Sequence, residues 1–133
     1  KTFSYYHFQM FERHNRDRYL ANDSLKNKKY NIFLDKRRDR DTTWKLCTIY
    51  KYVISPHGNG LDCHRTYEAM CLGSIPVVRT STLDRIYRDM PVIILNNWKE
   101  LTLENLDKIA KIKIENSREK LMLKYWVEFI DNY

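Results

Sequence analysis

One stretch of the chain gathers the residue types that bind anions: Ser55-Pro56-His57-Gly58-Asn59-Gly60-Leu61-Asp62-Cys63-His64-Arg65-Thr66-Tyr67-Glu68. Two of the three glycines of the whole sequence, Gly58 and Gly60, fall inside it. Glycine lets backbone N–H groups approach a ligand closely. A helix starting just beyond adds its unpaired N–H groups and about half a positive charge. Arg65 contributes a permanent, fork-shaped cation suited to phosphate. Glu68 lies three residues on, one helical step along the same face. A carboxylate there can accept hydrogen bonds from a ribose diol, as acidic residues do in nucleotide sites. Together these residues describe an anion or nucleotide site. They also have a plainer reading, in which Gly58–Gly60 merely turns the chain and Arg65 and Glu68 form an i,i+3 ion pair. Neither the full G-x-G-x-x-G nor the Walker lysine is present.

The elements around this stretch decide where it sits. Tyr50-Lys51-Tyr52-Val53-Ile54-Ser55 is β-rich and stops at Pro56. Asp62 then stands as the N-cap of a helix reaching about Leu72 and closed by Gly73. Ile75–Arg79 predicts a second strand, Ser81–Tyr87 a short helix, and Pro91–Leu95 a third strand. The spacing of Leu106, Ile109 and Ala110, then of Leu121, Leu123, Tyr125, Trp126, Phe129 and Ile130, predicts helices over 103–114 and 118–133. Upstream, Phe8 to about Leu25 reads as a basic helix marked by Phe8, Phe11, Tyr19 and Leu20. Tyr30–Leu34 reads as a short strand or helix turn, and Thr43–Ile49 as a short helix. Short, near-continuous apolar strands alternating with helices mark a parallel sheet buried on both faces. The expectation is a single Rossmann-like α/β domain over 1–133, with a basic helical or irregular part at 1–47 and an α/β core with C-terminal helices at 48–133. In such a sheet ligands bind beyond the carboxyl ends of the strands, where the Gly58 turn falls.

Composition bounds the remaining possibilities. The 133 residues carry 24 Lys+Arg against 17 Asp+Glu, a net charge of +7, and 43% are hydrophobic. That size suits one domain with a real core. Ten Tyr, five Phe and three Trp supply surface to bury, while three Gly and three Pro argue against low-complexity classes. No apolar run approaches the roughly 20 residues that cross a bilayer. The chain begins at Lys1 with no leader, which suits a piece of something longer. Residues 1–47 hold 12 basic and 6 acidic side chains, whereas the rest is nearly neutral. The excess centres on Lys26, Lys28, Lys29 and the run Lys36-Arg37-Arg38-Asp39-Arg40. Such a run is a solvated face or a contact for an anionic partner. Cys47, Cys63 and Cys71 are odd in number and lack a CxxC pair, so neither a disulfide framework nor a zinc site is expected. Their usage suits a reducing, cytoplasmic compartment.

The string Tyr52 to Val78, containing Ser55-Pro56-His57-Gly58-Asn59-Gly60, Asp62-Cys63-His64-Arg65-Thr66-Tyr67-Glu68 and Leu72-Gly73-Ser74-Ile75-Pro76-Val77-Val78, resembles the donor-site signature of exostosin-like GT-B glycosyltransferases. Leu83-Asp84-Arg85-Ile86-Tyr87-Arg88-Asp89-Met90-Pro91-Val92 and Asn97-Trp98-Lys99-Glu100 follow in matching order. The likeness spans about residues 50–126, and more loosely Phe3-Ser4 and Arg13. More distantly, the small-Gly-x-Ile-Pro-Val-Val pattern is similar to the donor domain of α1,3-fucosyltransferases. The resemblance implies a metal-independent glycosyltransferase that binds a UDP- or GDP-linked sugar and supports its transfer to a glycan or protein acceptor. It also implies an acceptor-binding domain that these residues do not include. On matching positions, Arg65 would neutralise the diphosphate and Glu68 would bind ribose or sugar hydroxyls. Gly58, Asn59 and Gly60 would form the close loop, Asp62 or His64 would lie near the sugar, and Arg13 would be a second phosphate contact.

Plainer roles stand beside these. Asp62 serves equally as a helix cap, His64 as an exposed polar residue, His57 as a loop residue and Asp84 as a first-turn residue. Trp98 and Trp126 read as packing residues. Two other functions remain open: a non-catalytic nucleotide-sugar or anion-binding module, and a nucleic-acid-binding protein using the basic N-terminal third.

Overall fold

The computed structural model describes residues 4–6, 16–33, 38–113 and 119–132. Its centre is a five-stranded parallel sheet: β1 (Ser4–Tyr6), β2 (Asn31–Phe33), β3 (Tyr52–Ile54), β4 (Ile75–Arg79) and β5 (Ile93–Leu95), ordered β2-β1-β3-β4-β5. Residues 4–6 and 31–33 thus bring two strands from the basic N-terminal third into the same sheet, and residue 47 marks no break in it. The helices are α1 (Arg16–Leu25), α2 (Arg40–Ile49), α3 (His64–Cys71), α4 (Leu103–Lys113) and α5 (Leu123–Asp131). Short 3-10 turns occupy Asp84–Tyr87, Trp98–Glu100 and Glu119–Leu121. No helix among the described residues is long and apolar enough to cross a membrane.

The strand order explains the layering. From β1 the chain winds one way to β2, then returns to β3 and continues outward to β5. Parallel crossovers keep one hand, so the two directions must send their helices to opposite faces. The packing follows that rule. Tyr52, Ile54, Ile75, Val77, Ile93 and Leu95 point to one face, under Ala21 and Leu25 of α1 together with Trp98, Leu101 and Leu106. Val53 points to the other, against Cys47 of α2 and Ala69 of α3. There Val78 meets Met70, Tyr87, Met90 and Val92. The two-residue alternation of a strand thereby feeds two cores, which makes the α/β sheet doubly wound and compatible with a Rossmann-like fold.

Local chemistry sets several boundaries differently from the sequence expectation. α2 starts at Arg40, earlier than Thr43, because the Asp39 side chain accepts from Thr42 N–H at 2.8 Å and caps the helix. α3 starts at His64; its N-cap is Cys63 with no side-chain cap bond, so Asp62 is not the cap. Gly73 does close that helix region, at φ +93°. In α1 the buried stripe is Asp17, Ala21 and Leu25, while Tyr19 is 67% exposed and Leu20 faces solvent as well. The expected marks Phe8 and Phe11 lie outside the described residues.

Candidate functional site

The loop after β3 and the start of α1 after β1 meet at the carboxyl edge of the sheet. β1 and β3 are the strands between which the winding reverses, the usual ligand crevice of such sheets. A buried carboxylate joins the two. Asp17, 4% exposed, accepts the backbone N–H of His57 at 2.9 Å, Arg79 Nε at 2.5 Å and Trp98 Nε1 at 2.8 Å. The His57 ring closes the cluster, with Nδ1 3.6 Å from Asp17 and Nε2 3.0 Å from the Arg79 carbonyl oxygen. A carbonyl can only accept, so Nε2 carries a proton. His57 is therefore a buried structural group, and Trp98 both packs and donates.

This cluster holds the Gly58 turn in place, with Gly58 N–H donating to the Gly60 carbonyl at 3.0 Å. Neither Gly58 nor Gly60 has positive φ, so the turn does not use their conformational freedom. A Cβ at Gly58 would stand at ordinary contact distance, 3.5 Å from Arg18 Nη2 and 3.8 Å from Cys63 Sγ. Arg65 Nη2 in turn donates to Cys63 Sγ at 3.4 Å. Two guanidinium groups, Arg18 of α1 and Arg65 of α3, thus flank Gly58 and Cys63.

Arg65 is the less compensated of the two. Its Nη1 is buried and makes no hydrogen bond among the described residues, and no described carboxylate lies within ion-pair distance of it. The i,i+3 pair with Glu68 does not form; among the described residues the Glu68 carboxylate makes no hydrogen bond or ion pair, and it lines a cavity with His64 and Tyr67. Both charges still act on Cys47. Burial pushes its thiol up to about 11, with Glu68 adding to the rise and Arg65 opposing it. Asp62, Asn59, Gly60 and His64 are exposed at the mouth. Burial, then the Asp62 carboxylate facing it, raises the Tyr67 phenol. Tyr87 is raised by burial and by Asp62 as well. Beneath the loop, Ser55 Oγ and Thr66 Oγ1 sit 3.0 Å apart and tie β3 to the first turn of α3.

The structure therefore brings Gly58, Asn59, Gly60, Asp62, His64, Arg65 and Glu68 to one edge of the sheet. Arg13 lies outside the described residues. Asp84 is a first-turn residue of its 3-10 turn and ties back the chain before it, accepting from Ser81 N–H at 2.8 Å and from Thr80 Oγ1. Sequence reasoning missed Arg18, Asp17 and Arg79. No sequence signal pointed to them, because Asp17 and Arg18 read as the middle of a basic helix and β1 is only three residues long. Among the described residues no group of three or more His, Cys, Asp or Glu side chains is arranged to hold a metal ion. No family model and no curated protein sequence matches this chain.

Proposed function

We propose that this domain binds the diphosphate of a nucleotide-sugar donor and serves as the donor-binding part of a glycosyltransferase. Arg65 carries the reading. A partly buried guanidinium with an orphaned N–H and no carboxylate partner is unfavourable unless an anion completes it. Its place at the start of α3, across Gly58 from Arg18, suits two adjacent phosphates. The ordered resemblance of residues 52–78 to exostosin-like donor sites selects a nucleotide sugar over other anions. In that role Arg18 and Arg65 would stabilise the leaving diphosphate as the anomeric C–O bond breaks, an electrostatic contribution that grows toward the transition state. Glu68 would accept from ribose hydroxyls, and the exposed Asp62 would lie toward the sugar.

Thermal unfolding against UDP, GDP, ADP and CDP tests this. Saturation at a hundred times Kd stabilises by about 2.7 kcal/mol, and Arg65→Ala weakens binding by about ten- to a hundred-fold. Binding to no nucleoside diphosphate overturns the reading. Donor hydrolysis or transfer to an acceptor separates an enzyme from a binding module.

A further inference from the structure

A cavity of about 500 Å³ opens between α2 and α3, lined by Trp44, His64, Tyr67, Glu68, Cys71 and Leu72. Its size falls in the range of small-molecule sites. Trp44 supplies its large ring, 37% exposed, with Arg40 held 5.6 Å from the ring centroid. Glu68 belongs at once to this cavity and to the turn of α3 that follows Arg65.

We infer that this cavity is the nucleobase subsite of the same ligand, with the base stacking on Trp44. This inference rests on the nucleotide reading above. The order of groups along α3 argues for it. Arg65 stands at the phosphate end, Glu68 one turn on, and Cys71 and Leu72 a further turn on. From Arg65 to Leu72 the helix region rises about 10 Å, comparable to an extended nucleoside diphosphate. Phosphate, ribose and base would meet cation, carboxylate and aromatic wall in sequence.

The chemistry of the walls separates a base from a sugar. A sugar ring needs many hydrogen-bond partners, but the surface this cavity presents is almost wholly apolar. The Tyr67 hydroxyl lies beside Asp62, and the other chargeable groups of the lining are His64, Glu68 and the Cys71 thiol. A flat heteroaromatic ring needs above all a flat apolar partner, and Trp44 provides it.

The test compares wild type, Trp44→Ala and Trp44→Phe by titration calorimetry with UDP, GDP, ADP, CDP and inorganic diphosphate. Stacking on an aromatic ring is strong enough that Trp44→Ala weakens the preferred nucleoside diphosphate about ten-fold. Inorganic diphosphate binds all three proteins alike, and Trp44→Phe retains most of the nucleotide affinity. In the wild-type protein the Trp44 indole N–H resonance, assigned by its loss in Trp44→Phe, shifts with the nucleotide and not with inorganic diphosphate. This second measurement needs no truncated variant. Unchanged nucleotide affinity in Trp44→Ala, or an indole resonance indifferent to nucleotide, overturns the subsite while leaving the diphosphate reading intact. Failure of wild type to bind any of the four nucleotides overturns both.

Discussion

Asp17 ties together three segments at the carboxyl edge of this sheet. Three donors from three separate segments converge on its two oxygens, and it is all but inaccessible to solvent. Deleting a buried carboxylate leaves its partners unpaired, which is costlier than the pair was worth. Asp17→Ala is therefore expected to lose about 3 kcal/mol of unfolding free energy, read from urea denaturation. Asp17→Asn should fall between the two, since an amide oxygen still accepts from Trp98 but brings no charge to Arg79. A midpoint for Asp17→Ala equal to that of wild type would show the cluster to be dispensable. Reading Asp17 as one more solvated charge of a basic helix is natural from the sequence, because Tyr19 and Leu20 nearby look like the buried marks. Burial of an acid depends on Arg79 and Trp98, and no local pattern announces partners so distant in the chain.

At the scale of elements, the two kinds of glycine separate cleanly. Gly73 sits at φ +93° with nothing within 4 Å of a built Cβ, so only backbone strain opposes a side chain there. Gly73→Ala should cost about 1 kcal/mol with ligand binding unaltered. Gly58 has no such conformation, and its neighbours stand at ordinary contact distance. Gly58→Ala should keep its thermal midpoint yet bind nucleoside diphosphate more weakly, because the methyl enters the gap between Arg18 and Cys63. A lowered midpoint with unchanged affinity would reverse that assignment. The strands of the central region were legible because Tyr-Val-Ile, Ile-Pro-Val-Val and Val-Ile-Ile-Leu are near-continuously apolar, as strands covered on both faces must be. β1 is three residues long and begins with Ser4, too short for periodicity to reveal. α2 was drawn late because Asp39 looked like part of a charge run and acts as a cap. Arg65 and Glu68 were legible from a glycine turn leading into a helix. Arg18 reaches Gly58 only through the pairing of β1 with β3, which spacing along the chain cannot express.

For the molecule as a whole, the shifted thiol and phenols all move one way. Burial first raises Cys47, Tyr52, Tyr67 and Tyr87 alike. The unfolded chain gives up these protons at lower pH than the folded one does. Their contribution is intact below the ordinary thiol value and is lost as pH rises, for Cys47 through about 11. Cys47 alone accounts for on the order of 2 kcal/mol across that window. Urea midpoints should thus fall between pH 8 and pH 10.5, roughly the span of the thiol and phenol values, and less steeply in Cys47→Ala. A flat profile would contradict the burial of these groups. The contacts of Asp17 have a different kind of consequence. They reach across 40, 62 and 81 residues of sequence, so the cluster is complete only once the chain as far as Trp98 has been assembled. Loops joined over such lengths are slow to form and are rewarded late. The turn beside the two arginines consequently acquires its shape in the same cooperative step as the completed sheet. A chain cut before Trp98 would lose one of those contacts outright, and recovery of nucleotide binding during refolding should track the last phase of folding rather than the first.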